Sequence, residues 1–101
     1  MCGLIEAARI GNWQDLEILL VNGIDANTTD EDGTTALIGA AQAGHASIVR
    51  RLLDAGANPN QSDLNGFTPR MGAVATGNQV LVRLLLQAGA EIDTISKSEL
   101  T

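Results

Sequence analysis

The sequence predicts an all-α solenoid: short helix–turn–helix pairs stacked side by side and joined by hairpin-like loops. Three observations carry that expectation. First, the chain repeats itself every 33 residues: Gly33 recurs as Gly66, Thr35 as Thr68, Ala40 as Ala7 and Ala73, and Gly44 as Gly11 and Gly77. Leu52-Leu53 recurs as Leu19-Leu20 and Leu85-Leu86, and Gly56 as Gly23 and Gly89. A fixed period over three copies marks a stacked array. Second, each copy holds two helix-forming runs split by a glycine and closed by another. Third, aromatic residues are nearly absent, with one Trp, one Phe and no Tyr, so small and aliphatic side chains must fill the core.

In the first copy, Leu4 to Ile10 is rich in good helix formers and is broken by Gly11 and Asn12. Trp13 to Asn22 makes a second helix, with Leu16, Leu19 and Leu20 spaced for one apolar face. Gly23 suits the left-handed residue past a helix end. The polar stretch 24–34 turns at Asp30-Glu31-Asp32-Gly33. In the second copy, Thr35 is the expected N-cap for helices over 36–43 and 46–54. In the third copy, Thr68 repeats the cap and Pro69 takes the first helical position, where its missing N–H costs nothing. The helices there are expected over 69–76 and 79–87. Each pair is too short to hide its own apolar face, so stability must come largely from interfaces between neighbours.

With 101 residues the chain has room for one domain. The net charge of −6, with scattered Arg9, Arg50, Arg51, Arg70, Arg83 and Lys97, disfavours nucleic acid, which needs clustered cations. No apolar run reaches the ~18 residues of a membrane span, and no signal peptide is visible. Cys2 is the single cysteine, so no internal disulfide can form, which fits a reducing compartment. The expected location is cytoplasmic, with the nucleus left open.

With these landmarks in one register, the chain resembles the ankyrin repeat family from about Leu4 to Asp93. The middle copy carries the family pattern as Asp30, Gly33, Thr35, Leu37, Ala40, Ala41, Gly44, His45, Leu52, Leu53, Gly56, Ala57 and Asn60. The resemblance implies repeats over about 1–28, 29–61 and 62–94, with 95–101 as the start of a truncated fourth loop. Three departures stand out. The family's Pro is Ala36 in the second copy, its His is Ile38 and then Met71, and Arg70 stands where the second copy has the core-facing Leu37. A buried unpaired Arg is costly, so its head is expected to reach solvent or a carboxylate.

The two ends differ in pattern. Asp15 aligns with Ile48 and Leu81, and Glu6 with Gly39 and Gly72, so the first copy reads as a polar cap. The last helix is apolar nearly all round, and a helix of that kind is normally covered. Val80, Leu81 and Leu84 are therefore candidate self-association residues, at an open stacking surface for a homodimer or a longer array.

No catalytic constellation is visible. The lone His45 has no His or Cys partner and matches the family's structural Gly-His. A calcium loop at Asp30-Glu31-Asp32-Gly33 would need an acid or Asn at Thr28 and Glu at Gly39. No metal or cofactor is expected. Asn27 and Asn60 begin glycosylation sequons, read as coincidence without a secretion signal. The resemblance assigns both to loop hydrogen bonding and makes them possible substrates of an asparaginyl hydroxylase. Trp13 reads as partly buried packing, and Glu17, Arg50 and Arg83 as one charged outer row.

The family binds protein partners through its loop tips and the concave side of its first helices. That surface implies candidate protein-binding residues Glu31, Asp32, Thr34, Ile38, Gln42, Leu64, Asn65, Phe67 and Met71, with Arg9 nearby. Leu64, Phe67 and Met71 are apolar where a solvated tip is expected, which suggests an interaction patch. The expected function is a non-enzymatic protein–protein interaction module. The alternatives are a self-associating assembly unit and a hydroxylase substrate.

Overall fold

The computed structural model describes residues 3–89. They form six helices: α1 (Leu4–Ile10), α2 (Trp13–Val21), α3 (Ala36–Ala43), α4 (Ala46–Asp54), α5 (Pro69–Thr76) and α6 (Gln79–Gln87). Among the described residues there is no strand, only an isolated antiparallel bridge between Thr29 and Thr35. The helix bounds match the periodic reading, except that Asn22 caps α2 instead of extending it.

Four of the six helices, α2, α3, α5 and α6, start where a side chain satisfies an orphan amide. Thr35 Oγ1 accepts from the Ile38 amide at 3.1 Å and Thr68 Oγ1 from the Met71 amide at 3.3 Å. Asn12 Oδ1 serves the Asp15 amide at 3.1 Å, and Asn78 Oδ1 serves the Val80 amide at 3.0 Å. The family's cap histidine is replaced at Met71, whose Sδ accepts from the Thr68 amide at 3.4 Å.

The inner row α1, α3, α5 packs most closely, and the outer helices meet their neighbours more loosely. Small residues explain the difference. Ala7, Ala8, Ala36, Ala40, Ala41 and Ala73 are buried along the inner row. A Cβ on Gly39 would sit 3.5 Å from Arg9 Cβ, and one on Gly72 would sit 3.1 Å from the Gln42 backbone nitrogen. Those two glycines let one inner helix approach the next. Leu16, Leu37, Ile48, Val49, Leu52, Leu81 and Leu85 complete the core between the rows.

One sequence expectation fails here. Leu81 is fully buried in the core, so it is not available for self-association. It belongs to the same row as Ile48, and α5 and α6 cover that row within their own repeat. The first repeat also exposes Ile18, Val21 and Ile24 alongside its polar Glu6 and Asp15.

Candidate functional site

The loop tips are built by one device used twice. Asp30 Oδ1 accepts from the amides of Asp32 (2.9 Å) and Thr34 (3.0 Å), and the Asp30 amide donates to the Thr34 carbonyl at 3.1 Å. Asp63 Oδ1 does the same for Asn65 and Phe67, both at 2.9 Å. A carboxylate that accepts two amides fixes the hairpin without a strand ladder. The tips then join each other: the Leu64 amide donates to the Asp32 carbonyl at 3.0 Å. Gly33, at φ +77°, makes that approach possible, because a Cβ there would meet the Leu64 amide nitrogen at 3.0 Å.

This construction pushes the Leu64 side chain outward. It is 79% exposed, on a tip that also exposes Glu31, Asp32 and Asn65. Thr34 and Phe67 are half-buried, and Gln42 is exposed against the edge of Gly72. The structure therefore gathers most of the predicted surface residues at the tips of the second and third repeats and on the adjoining inner helix.

Ile38 does not belong to that surface. It is 0% exposed, because the third repeat stacks over it. Met71 is the next residue in the same aligned row and is 48% exposed, with no further repeat among the described residues to cover it. Met71 thus lies on the last described layer. Leu84 is half-buried, and it aligns with Arg51, which reaches back toward the preceding repeat. Its row faces the second repeat, so of the three predicted self-association residues only Val80 is exposed.

Further contacts fasten the repeats to one another. Asn27 Nδ2 donates to the Gly56 carbonyl at 3.2 Å, while its Oδ1 accepts from the Asn58 amide at 2.7 Å. Asn60 Nδ2 repeats the first of these bonds with the Gly89 carbonyl, at 3.1 Å. His45 Nε2 donates to the Arg9 carbonyl at 3.1 Å, which fixes a proton on Nε2. The imidazole lies so close to Gly11 that a Cβ there would be 3.0 Å from its Cε1 and Nε2 atoms. Trp13, His45 and Ile48 line an open groove beside this contact, and Trp13 is 45% exposed.

One inter-repeat fastener was missed in the sequence. Arg51 grips Glu17 through Nε (2.9 Å) and Nη2 (2.8 Å). The aligned column reads Glu17 as part of a solvated row, whereas its partner lies one period plus one residue away, off that column. The guanidinium hydrogen bonds hold the Glu17 carboxyl below the usual glutamate range, against a smaller opposing effect of desolvation. The same bonds raise Arg51. Arg70 is half-buried, and its Nε is buried without a hydrogen-bond partner.

Among the described residues no group of three or more His, Cys, Asp and Glu side chains is placed to hold a metal. No helix among them is long and apolar enough to cross a membrane.

The threefold repeat agrees with the comparisons. The family described as ankyrin repeats (3 copies) matches residues 4–96. The chain belongs to the ankyrin repeat family. Its fold is similar to the crystal structure of the human ASB11 ankyrin repeat domain, with a TM-score of 0.84 and 31% identity. That match covers 90% of this chain and 41% of the other, so this array spans about two-fifths of that domain's length. No curated protein matches the chain. Ankyrin repeats are generally protein–protein interaction modules, and the fold is typically non-enzymatic.

Proposed function

We propose that this ankyrin array binds a protein partner through the tips of its second and third repeats and the adjoining inner-helix face. Leu64 carries the proposal. It is a large apolar side chain presented to solvent by a backbone that is hydrogen-bonded on both sides, between repeats that are themselves clasped together. A preorganised surface of this kind binds without a large ordering cost. Glu31 and Asp32 surround the apolar contact with negative charge, which favours a partner with basic residues around an apolar anchor. Gln42 and Asn65 add polar contacts at the rim.

Affinity capture from a matched lysate tests this reading, with the intact array compared against the Leu64→Ala single variant and the Leu64→Ala/Phe67→Ala/Met71→Ala triple variant. The single variant retains the fold because Leu64 packs little, and far-ultraviolet circular dichroism checks that. The expected result is loss of the same captured protein in both variants. Capture unchanged by the triple substitution contradicts the proposed surface.

A further inference from the structure

We infer that Asn65 is a site of covalent modification. The folded array loses its side-chain amide there, by attack of the Gly66 backbone nitrogen on the Asn65 carboxamide, and the Asp63 carboxylate is the brace that sets the rate. This inference does not depend on the surface proposed for a protein partner.

The reaction needs an asparagine followed by a residue whose backbone nitrogen no side chain screens. Glycine follows asparagine twice, at Asn22-Gly23 and Asn65-Gly66. The structure separates the two. The Gly23 and Ile24 amides donate to the Leu20 and Leu19 carbonyls, both at 3.1 Å, and close the last turn of α2. Leu19 and Leu20 pack against the core, so freeing the Gly23 nitrogen unwinds an anchored turn. Leu64, Asn65 and Gly66 are all exposed, and the Gly66 amide is held by one bond to the Asp63 carbonyl at 3.0 Å. The Asn65 side chain has no hydrogen-bond partner among the described residues. Its aligned counterpart Asp32 is exposed even though the next tip bonds to its carbonyl through Leu64, so exposure at this position does not depend on a following tip. Opening a few exposed tip residues draws on the low-stability end of the molecule. What holds the tip shut is Asp63: its Oδ1 accepts from the Asn65 and Phe67 amides, both at 2.9 Å.

In the opened tip the Gly66 amide gives its proton to hydroxide, and the nitrogen bonds to Asn65 Cγ. The bond from Cγ to Nδ2 breaks. Nδ2 takes a proton from water and leaves as ammonia, which regenerates the hydroxide and leaves a five-membered imide. Water then opens the ring at either carbonyl. Cleavage at Cγ gives an aspartate at position 65. Cleavage at the main-chain carbonyl gives an isoaspartyl link, with the chain running through Cγ. One water enters, one ammonia leaves, and no electrons are exchanged. The isoaspartyl link adds one backbone atom between the two amides that Asp63 holds, so the brace no longer fits. Both products set a second carboxylate beside Asp63.

The test holds the full chain at mildly alkaline pH, samples it over time and maps its peptides by mass spectrometry, with aspartyl and isoaspartyl forms separated by chromatography. The folded native chain should convert at Asn65 ahead of Asn22 and of every other asparagine. Asp63→Ala should convert about tenfold faster at Asn65, the size expected for a lost hydrogen bond to a carboxylate. Asn22 in the same variant should keep its native rate, which shows that only the tip has loosened. Asp63→Asn keeps an acceptor oxygen, and its Asn65 rate should fall between the other two. Conversion at Asn22 ahead of Asn65 in the native chain overturns the inference. So does an Asn65 that stays intact in the folded chain while the same chain in urea converts. An Asn65 rate unchanged by Asp63→Ala removes the brace. A rise at Asn22 and Asn65 together in that variant identifies global unfolding as the route and also overturns it.

Discussion

Gly11 and Gly44 occupy equivalent turns with nearly the same backbone, at φ +79° and +80°, yet only Gly11 is crowded. Left-handed strain alone makes Gly44→Ala cost about 1–2 kcal/mol. Gly11→Ala carries that cost and also drives a Cβ into the His45 ring, so the bond to the Arg9 carbonyl is lost, for about 1 kcal/mol more. Chemical denaturation of the two variants should rank Gly11→Ala as the more damaging. The Glu17–Arg51 pair gives a second residue-level expectation. Because the folded-state pKa of Glu17 is lowered, the pair's stabilisation is complete above the ordinary glutamate range. It is lost as pH falls through the depressed native value. The midpoint advantage of the native protein over Glu17→Gln should therefore be present at neutral pH and close in acid. It should also shrink in high salt, since both groups are partly solvated. An advantage that persists unchanged in acid would contradict the assignment. The pair was illegible in the sequence because aligned columns reveal stacking neighbours, and Arg51 reaches one column across.

At the scale of elements, helix bounds were legible because capping and stop chemistry recur at fixed positions: Thr35 and Thr68 before the inner helices, glycine after them. Burial was harder to read. Ile38 and Met71 share a column, and whether such a residue forms core or surface depends on what stacks next, which periodicity does not state. Leu81 was misread for the opposite reason: an apolar run all round a helix does not reveal which side its own hairpin partner covers. The two inner-helix glycines make the packing argument testable. Gly39→Ala meets only ordinary contacts, the nearest at 3.5 Å, so it should gain helix propensity and stabilise the array by about 0.5–1 kcal/mol. Gly72→Ala offers the same gain but places its Cβ 3.1 Å from the backbone of Gln42. The inner helices would have to separate, and the net effect should be destabilising. Thermal or urea midpoints of opposite sign for the two alanine variants are expected.

At the scale of the molecule, the family and the stacking order were legible in the sequence, while the asymmetry of the ends was only half so. The first repeat pairs its polar Glu6 and Asp15 with exposed Ile18, Val21 and Ile24, so polarity alone did not distinguish the ends. Steric fit does: Glu6 occupies the close-approach position that glycine holds in the later repeats. The central claim is that no layer stands alone and that the clasps and inner-row contacts make three layers one cooperative body. Trp13 is the only tryptophan and reports on the first repeat, while Leu85 is buried in the third. Leu85→Ala should cost about 2–5 kcal/mol. The most direct measurement is urea unfolding of Leu85→Ala followed by Trp13 fluorescence and by circular dichroism. The account predicts one coincident transition for both probes, shifted by the full cost of the substitution. A Trp13 transition that stays at the native midpoint while the circular dichroism signal moves would contradict it.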